Sequence, residues 1–211
     1  MGRNFLGYVG ISLIALACLG FTAIGVSTKA GTSDVVDASV RLSIASGAGV
    51  CSATHIGAGR FLTAAHCTGS GDIEVVTENG TTAAAEVLWS AKPYDLALLR
   101  ADGLRLRSAQ IDCHLAKPGS AVTAVGNPLG MSFIRTPGLI VSGLQTDEVL
   151  IGGEKVWRER FIADVTVAPG SSGGGLFNDI GRLVGVVVGM APPFRYAFVV
   201  PSTTVCQLLG R

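Results

Sequence analysis

Residues 168–177 read APGSSGGGLF, a serine and glycine loop between two apolar runs at residues 161–167 and 183–188. A flexible linker is not expected between two runs that read as buried strands, so the loop is interpreted as a turn of defined shape. Gly170 can adopt backbone angles that other residues avoid. The glycines that follow Ser172 leave room for another backbone to approach closely. The loop therefore predicts a site at the end of a strand.

Short apolar runs divided by turn signals continue from this loop toward both ends of the chain. Many of them are rich in valine, isoleucine and threonine, and no long segment shows a sustained helical period. This pattern is typical of an all-β barrel or sandwich and not of alternating strands and helices. Residues 203–209 are predicted to form a short terminal helix. The predicted strands are residues 40–44, 61–65, 73–76, 83–88, 96–99, 121–125, 139–141, 161–167, 183–188 and 196–200.

The composition agrees with a well-buried, turn-rich fold and excludes one class of partner. Of 211 residues, 48% are hydrophobic and 15% are charged, and the formal net charge is +1. A nucleic-acid-binding surface is expected to be strongly basic, so no nucleic-acid partner is predicted. The most polar and irregular stretch, residues 102–117, is the best candidate for a linker between two halves of the chain.

Three sequence features match what a serine nucleophile requires: a base, an acid that orients the base, and donors for a developing negative charge. His66 ends the run FLTAAHC at residues 61–67 and is the candidate base. Asp95 begins the run DLALL and is the candidate acid. Taken alone, Asp95 reads equally well as an ordinary turn or strand-capping residue. The serine before Gly-Gly, Ser172, is the candidate nucleophile, and the N–H groups of Gly170 and Ser172 are the candidate oxyanion donors.

The N-terminal segment differs from the rest of the chain. Residues 5–26 contain no Asp, Glu, Lys, Arg or His and are long enough to cross a bilayer as a helix. We therefore predict that residues 1–30 are either a cleaved signal peptide or a membrane anchor. Both interpretations place residues 31–211 outside the cytoplasm, in the periplasm or the extracellular space. Apart from Cys18 in this segment, four cysteines remain and allow three pairings.

The order His66, Asp95, Ser172, with these flanking residues, resembles the trypsin/chymotrypsin superfamily. The similarity is greatest to its bacterial Deg-type (high-temperature-requirement) branch and extends from about residue 42 to about residue 204. Four further segments match that branch. They are AVGNPLG at residues 124–130, PGLIVSGL at 137–144, FIAD at 161–164 and FVVPS at 198–202.

The resemblance implies a fold and an activity. The expected fold is all-β, with two six-stranded antiparallel barrels at residues 31–105 and 118–211, the active site in the cleft between them, and a short C-terminal helix. The expected activity is serine endopeptidase hydrolysis of protein or peptide substrates through an acyl-enzyme, with no metal and no cofactor. The implied disulfides are Cys51–Cys67 and, from the two cysteines that then remain, Cys113–Cys206.

The resemblance also implies where a substrate side chain binds. The pocket residues would be Thr166, Val187, Val188 and Gly189. Because no acid occupies the Thr166 position and valines line the wall, a small or medium apolar residue before the scissile bond is expected.

The chain departs from the family pattern in three ways. Ser171 replaces an aspartate that digestive members use in zymogen activation, so that route is not expected. Gly175 replaces a common proline. The sequence ends soon after Ser172, so no C-terminal peptide-binding (PDZ) domain is expected. The alternative function is a non-catalytic barrel pair that binds peptides or partners at the membrane, through residues 5–26.

Overall fold

The computed structural model describes residues 34–44, 49–69, 71–151, 153–191 and 195–211. The segment predicted to be a signal peptide or anchor, residues 1–30, lies outside these ranges. Within them, no helix is long and apolar enough to cross a membrane.

Thirteen strands and two short helices form the described part of the chain. In chain order they are α1 (Asp34–Asp37), β1 (Ser39–Ile44), β2 (Gly49–Gly57), β3 (Arg60–Ala64), β4 (Ile73–Val76), β5 (Thr82–Ala91), β6 (Leu96–Arg100), β7 (Ala121–Gly126), β8 (Ile134–Ile140), β9 (Gln145–Ile151), β10 (Glu154–Asp164), β11 (Gly175–Asn178), β12 (Leu183–Ala191), β13 (Tyr196–Pro201) and α2 (Ser202–Leu208).

The first six strands close into an antiparallel barrel in the order β1-β2-β3-β6-β5-β4. Closure leaves no sheet edge exposed, which stabilises an all-β unit. Strands β2, β3 and β6 are buried along most of their length, so apolar side chains pack on both of their faces. Among the fully buried side chains of this barrel are Leu42, Phe61, Leu62, Leu96 and Leu99.

The other seven strands form a second antiparallel unit in the order β13-β12-β11-β7-β8-β10-β9. A further pairing between β13 and β10 closes six of these strands into a barrel. Only residues 161–164 of β10 take part in that closure, whereas residues 154–160 pair with β9. Strand β9 and residues 154–160 together form a projecting hairpin, called here the β9–β10 arm. The predicted class of two six-stranded barrels and a short terminal helix is confirmed.

Two disulfides tie irregular segments to this framework, and they are the two pairs that the family resemblance implies. Cys51 on β2 bonds to Cys67, just after β3. Cys113, in the segment between the two barrels, bonds to Cys206 on α2. The second bond closes a separation of 93 residues. A cross-link over a separation this long removes much conformational freedom from the unfolded chain.

The two barrels share one hydrophobic cluster. Val186 and Val188 of β12 belong to the same buried cluster as Val40 and Leu42 of β1. The intervening Val187 points the other way, into the separate core of the second barrel. Because side chains alternate along a strand, β12 is buried on both faces. The groups at the junction are therefore held by a packed interior.

Candidate active site

His66 lies in a short 3-10 turn, Ala65–Thr68, that follows β3 directly. Its neighbour Cys67 is only 1% exposed and is fixed by the disulfide to Cys51. The His66 side chain is 48% exposed, so its ring is open to solvent. A buried anchor beside an exposed imidazole gives the ring a fixed position and access to solvent.

Asp95 ends a second 3-10 turn, Lys92–Tyr94, just before β6. It adopts left-handed backbone angles, with φ of 56°, which are uncommon for a residue other than glycine. Two backbone bonds hold that shape: the Asp95 N–H donates to the Lys92 carbonyl, and the Ala65 N–H donates to the Asp95 carbonyl, both at 3.0 Å. The turn delivers a nearly buried carboxylate, 7% exposed, to the His66 turn.

The carboxylate of Asp95 holds both the backbone and the ring of His66. The His66 backbone N–H donates to Oδ1 at 3.0 Å, and the ring Nδ1 lies 2.9 Å from Oδ2 and 3.1 Å from Oδ1. A carboxylate accepts, so Nδ1 carries the proton and Nε2 is left as the acceptor. This tautomer is the one that a general base for a hydroxyl requires.

The backbone of the Ser172 loop leaves two N–H groups without a protein acceptor. The N–H groups of Ser171, Gly173 and Gly174 donate to backbone carbonyls, and that of Ala168 donates to the Ser171 hydroxyl. Within the part of the chain that the structure describes, the N–H groups of Gly170 and Ser172 donate to none. These are the two donors that the sequence predicts for an oxyanion hole.

The loop takes this shape because glycine occupies a crowded position at residue 170. Gly170 has φ of +100°, and a Cβ built there would lie 2.3 Å from the Asn127 carbonyl oxygen. The carbonyl of the preceding Pro169 accepts the Leu129 N–H at 2.7 Å. The C=O and N–H of one trans peptide point in opposite directions. Because the Pro169 carbonyl points toward Leu129, the N–H of Gly170 in the same peptide points away from Leu129.

Ser52 joins the two barrels at this loop. Its hydroxyl donates to the Gly170 carbonyl at 2.8 Å and accepts the Asn127 N–H at 2.9 Å. Its own N–H donates to the Ser172 carbonyl at 2.8 Å. Ser52 is 1% exposed, and this buried set of bonds orients the Gly170–Ser171 and Ser172–Gly173 peptides. The sequence prediction of the site did not include Ser52. The sequence around Ser52 gives little indication of this role, because Ser52 simply follows Cys51 in a strand whose polar and apolar residues do not alternate clearly.

The structure brings His66 and Asp95 into direct contact. The backbone of Ser172 lies close to Cys67, the neighbour of His66. The Ser172 carbonyl oxygen lies 3.8 Å from the sulfur of Cys67, the residue after His66. No hydrogen bond between the His66 ring and the Ser172 hydroxyl is present among the described residues. Catalytic hydrogen bonds are often long in ligand-free enzymes and shorten when substrate binds.

Two of the four predicted pocket residues, Thr166 and Val187, line one small cavity together with Ser171, whereas Val188 and Gly189 do not line it. Thr166 is exposed and lines a cavity of about 400 Å³ with Asp164 and Arg195. Val187 packs into the core of the second barrel, and Val188 packs toward the first barrel. Gly189 is half-buried at an irregularity in the pairing of β12 with β13. The pocket assignment therefore stays a prediction.

Opposite charges meet at the cavity that Thr166 lines. Arg195 contacts both carboxylate oxygens of Asp164, at 2.6 and 2.8 Å. Hydrogen bonding to Asp164 raises the pKa of Arg195. Because the two charges neutralise each other, Asp164 does not present a free carboxylate to a cationic substrate side chain.

One group of potential metal ligands lies near the site, but its chemistry does not suit a metal. Across the described ranges, the side chains of Cys51, His66 and Cys67 are the only such group close enough together. Both sulfurs belong to a disulfide and are not thiolates. Thiolate is the form of cysteine that binds metals.

Comparison with known proteins identifies the family of the chain. Residues 32–186 match the family model described as a trypsin-like peptidase domain. The serine protease Do-like HtrA of Lactobacillus helveticus is 32% identical over 145 residues, which are 66% of this chain and 34% of that protein. The serine endoprotease DegS of Haemophilus influenzae is 36% identical over 132 residues, 61% of this chain and 37% of that protein. This chain thus matches about a third of the length of these relatives.

A solved structure shows the same fold. The crystal structure of a protease from M. tuberculosis in its active form superposes with a TM-score of 0.78 at 25% identity. The match covers 85% of this chain and 82% of that chain. The resemblance to Deg-type proteases that the motifs indicate is confirmed, and the chain belongs to the family of trypsin-like peptidase domains.

Proposed function

We propose that this chain is a serine endopeptidase in which Ser172 is the nucleophile, His66 the general base and Asp95 the residue that orients the base. The observation that carries the proposal is the backbone of the Ser172 loop, in which the N–H groups of Gly170 and Ser172 have no acceptor among the residues that the structure describes. The contact between His66 and Asp95 supports the same function independently.

The reaction follows from these positions. The Ser172 hydroxyl attacks the carbonyl carbon of the scissile bond while Nε2 of His66 takes its proton. The N–H groups of Gly170 and Ser172 donate to the negative oxygen of the tetrahedral intermediate. His66 then protonates the leaving amine, the C–N bond breaks and an acyl-enzyme remains. Water, deprotonated by Nε2 of His66, attacks the acyl carbon, and the ester bond to Ser172 then breaks as His66 returns the proton to the Ser172 oxygen. The acid product leaves and the hydroxyl is restored.

Asp95 contributes through its position and its charge. It keeps the proton of His66 on Nδ1 before the reaction and stabilises the imidazolium that forms during each proton transfer. The carboxylate is nearly buried, so its attraction for that positive charge is weakly screened by water.

We further propose that the enzyme prefers a small or medium apolar residue before the scissile bond. The support is the Thr166 side chain, which is uncharged, and the pairing of the neighbouring Asp164 with Arg195. A free carboxylate, which would attract lysine or arginine, is not available at this position.

Export from the cytoplasm is also part of the proposal. The two disulfides, Cys51–Cys67 and Cys113–Cys206, support it, because such bonds persist mainly in oxidising compartments. Both the first barrel and the terminal helix are cross-linked, so reduction would loosen two separate parts of the molecule.

A peptide library tests the function and the preference in one experiment. The wild-type protein should cleave internal peptide bonds, and Ser172→Ala should leave every peptide intact. Cleavage should occur mainly after alanine, valine and other apolar residues of similar size. A dominant preference for arginine, lysine or glutamate would overturn the pocket assignment alone. A folded wild-type protein that cleaves nothing would favour the non-catalytic binding protein instead.

A further inference from the structure

The turn that carries Asp95 receives a contact from the other barrel. Arg158 lies on the β9–β10 arm and reaches the 3-10 turn Lys92–Tyr94. Its Nε donates to the Pro93 carbonyl at 3.0 Å, and its Nη2 donates to the Lys92 carbonyl at 3.1 Å. Its Nη1 lies 3.8 Å from Oδ2 of Asp95. One guanidinium group therefore contacts three successive features of the same turn, two carbonyls and the carboxylate.

The geometry suits arginine in particular. A guanidinium group is planar and always charged, and its five donors have fixed directions. The turn is only three residues long, and Asp95 follows it in left-handed backbone angles. Such a short turn has few internal bonds to resist distortion. The Arg158 side chain is 17% exposed and the Asp95 side chain 10%, so water competes little for the contact between these two charges, whereas the Lys92 and Pro93 carbonyls lie at the surface.

Arg158 is also the one lysine or arginine within 4 Å of the Asp95 carboxylate among the residues that the structure describes. It contacts Oδ2, the oxygen closest to Nδ1 of His66. A displacement of Asp95 by a few tenths of an ångström would lengthen that bond and change the direction of the ring. Small displacements of catalytic groups have large effects on rate.

We propose that Arg158 is a positioning residue, which holds the Asp95 turn so that the carboxylate meets Nδ1 of His66. This inference rests on the proposed function, because it concerns the same base. Arg158 does not touch the reacting atoms and acts through Asp95. The general base of the first barrel is thus set by a side chain of the second barrel.

Arg160 provides a matched control on the same strand. It lies two residues further along β10, on the same face, and its side chain is 15% exposed. It pairs with Asp147 of β9 and lies over the Phe198 ring, 4.8 Å from its centre. Its described contacts do not include the Lys92–Tyr94 turn. Arg160→Met therefore perturbs the arm without removing a contact to Asp95.

Steady-state kinetics of the full chain give the first test. Arg158→Met should lower kcat about tenfold, the loss expected for charged hydrogen bonds that set geometry. Its KM should stay within about twofold, because no substrate contact is removed. Arg158→Lys keeps the charge and should recover part of the loss. Arg160→Met should keep the wild-type kcat.

The proton resonance of the His66 Nδ1–H gives the second test, because a carboxylate partner shifts it far downfield. The resonance should weaken or move upfield in Arg158→Met and stay in place in Arg160→Met. Equal losses of kcat in both variants, or an unchanged kcat and resonance in folded Arg158→Met, would overturn the inference. If Arg158→Met fails to fold, the test is made with Arg158→Lys instead. A wild-type kcat and a wild-type His66 resonance in Arg158→Lys would then overturn the inference. A wild type that hydrolyses nothing refutes the proposed function, while the resonance still tests the positioning.

Discussion

Replacing Asp95 by asparagine is expected to lower kcat about 10⁴-fold. The asparagine oxygen can still accept the His66 backbone N–H, so the turn keeps its shape. Its NH₂ group then faces Nδ1 of the ring, which must become an acceptor. The proton moves to Nε2, and His66 can no longer take the proton of Ser172. The measurement is kcat and KM for a peptide cleaved by the wild type, with KM expected to change little.

Asp102→Asn is the control for this change. Asp102 is an exposed carboxylate that pairs with Arg100 on the surface. Its replacement removes the same charge from the protein and should leave kcat unchanged. An Asp95→Asn variant that folds and keeps more than a tenth of the wild-type kcat would show that Asp95 does not orient the base.

Replacing Gly170 by alanine is expected to lower kcat by about 10²- to 10³-fold, the usual effect of losing one oxyanion donor. The new Cβ would lie 2.3 Å from the Asn127 carbonyl oxygen, and the backbone angle of +100° is also unfavourable for alanine. The Pro169–Gly170 peptide must rotate, which turns its N–H away from the reacting carbonyl. A peptide aldehyde that forms a tetrahedral adduct should bind more weakly by a similar factor.

Gly119→Ala separates this effect from simple backbone strain. Gly119 also has a positive φ, of +85°, but a Cβ there meets nothing within 4 Å. Its replacement should reduce the free energy of unfolding by about 1 kcal/mol and leave kcat unchanged. A Gly170→Ala variant with the kinetics of Gly119→Ala would refute the oxyanion assignment.

His66 and Ser172 are candidates from the sequence alone because the residues next to each of them form a recognisable motif. The run FLTAAHC places a histidine at the end of a strand, and the glycines around Ser172 specify a crowded turn. Asp95 has no such local signature, and its identification depended on its order between the other two. The structure gives the reason: Asp95 comes close to His66 only because β3, which precedes His66, pairs with β6, which follows Asp95. No short stretch of sequence shows this pairing.

Three strands were not predicted, and each has a physical reason. Strand β2, read GVCSATHIG, is buried along nearly its whole length on both faces. Its serine, threonine and histidine therefore hide the alternation that marks a strand with one exposed face. Strand β11 has only four residues. Strand β9 pairs only with its neighbour in the projecting arm, where little apolar burial is required.

The residues that the sequence could not reveal are those whose partners are distant in the chain. Ser52 bonds to Gly170 from the other barrel, and Arg158 bonds to Pro93 in the same way. Neither residue type is unusual at its place, so only the packing of the two barrels identifies them. Both act on the orientation of catalytic groups and not on the reaction itself.

Labelling with a fluorophosphonate probe, followed by mass mapping of the modified residue, tests the central claim most directly. The account predicts one label per folded molecule, on the Ser172 oxygen, because this is the hydroxyl that the proposed base and oxyanion donors serve. Ser172→Ala should remain unlabelled, and Ser171→Ala should still be labelled at Ser172. A label on Ser171, or folded wild-type protein that takes no label, would contradict the account.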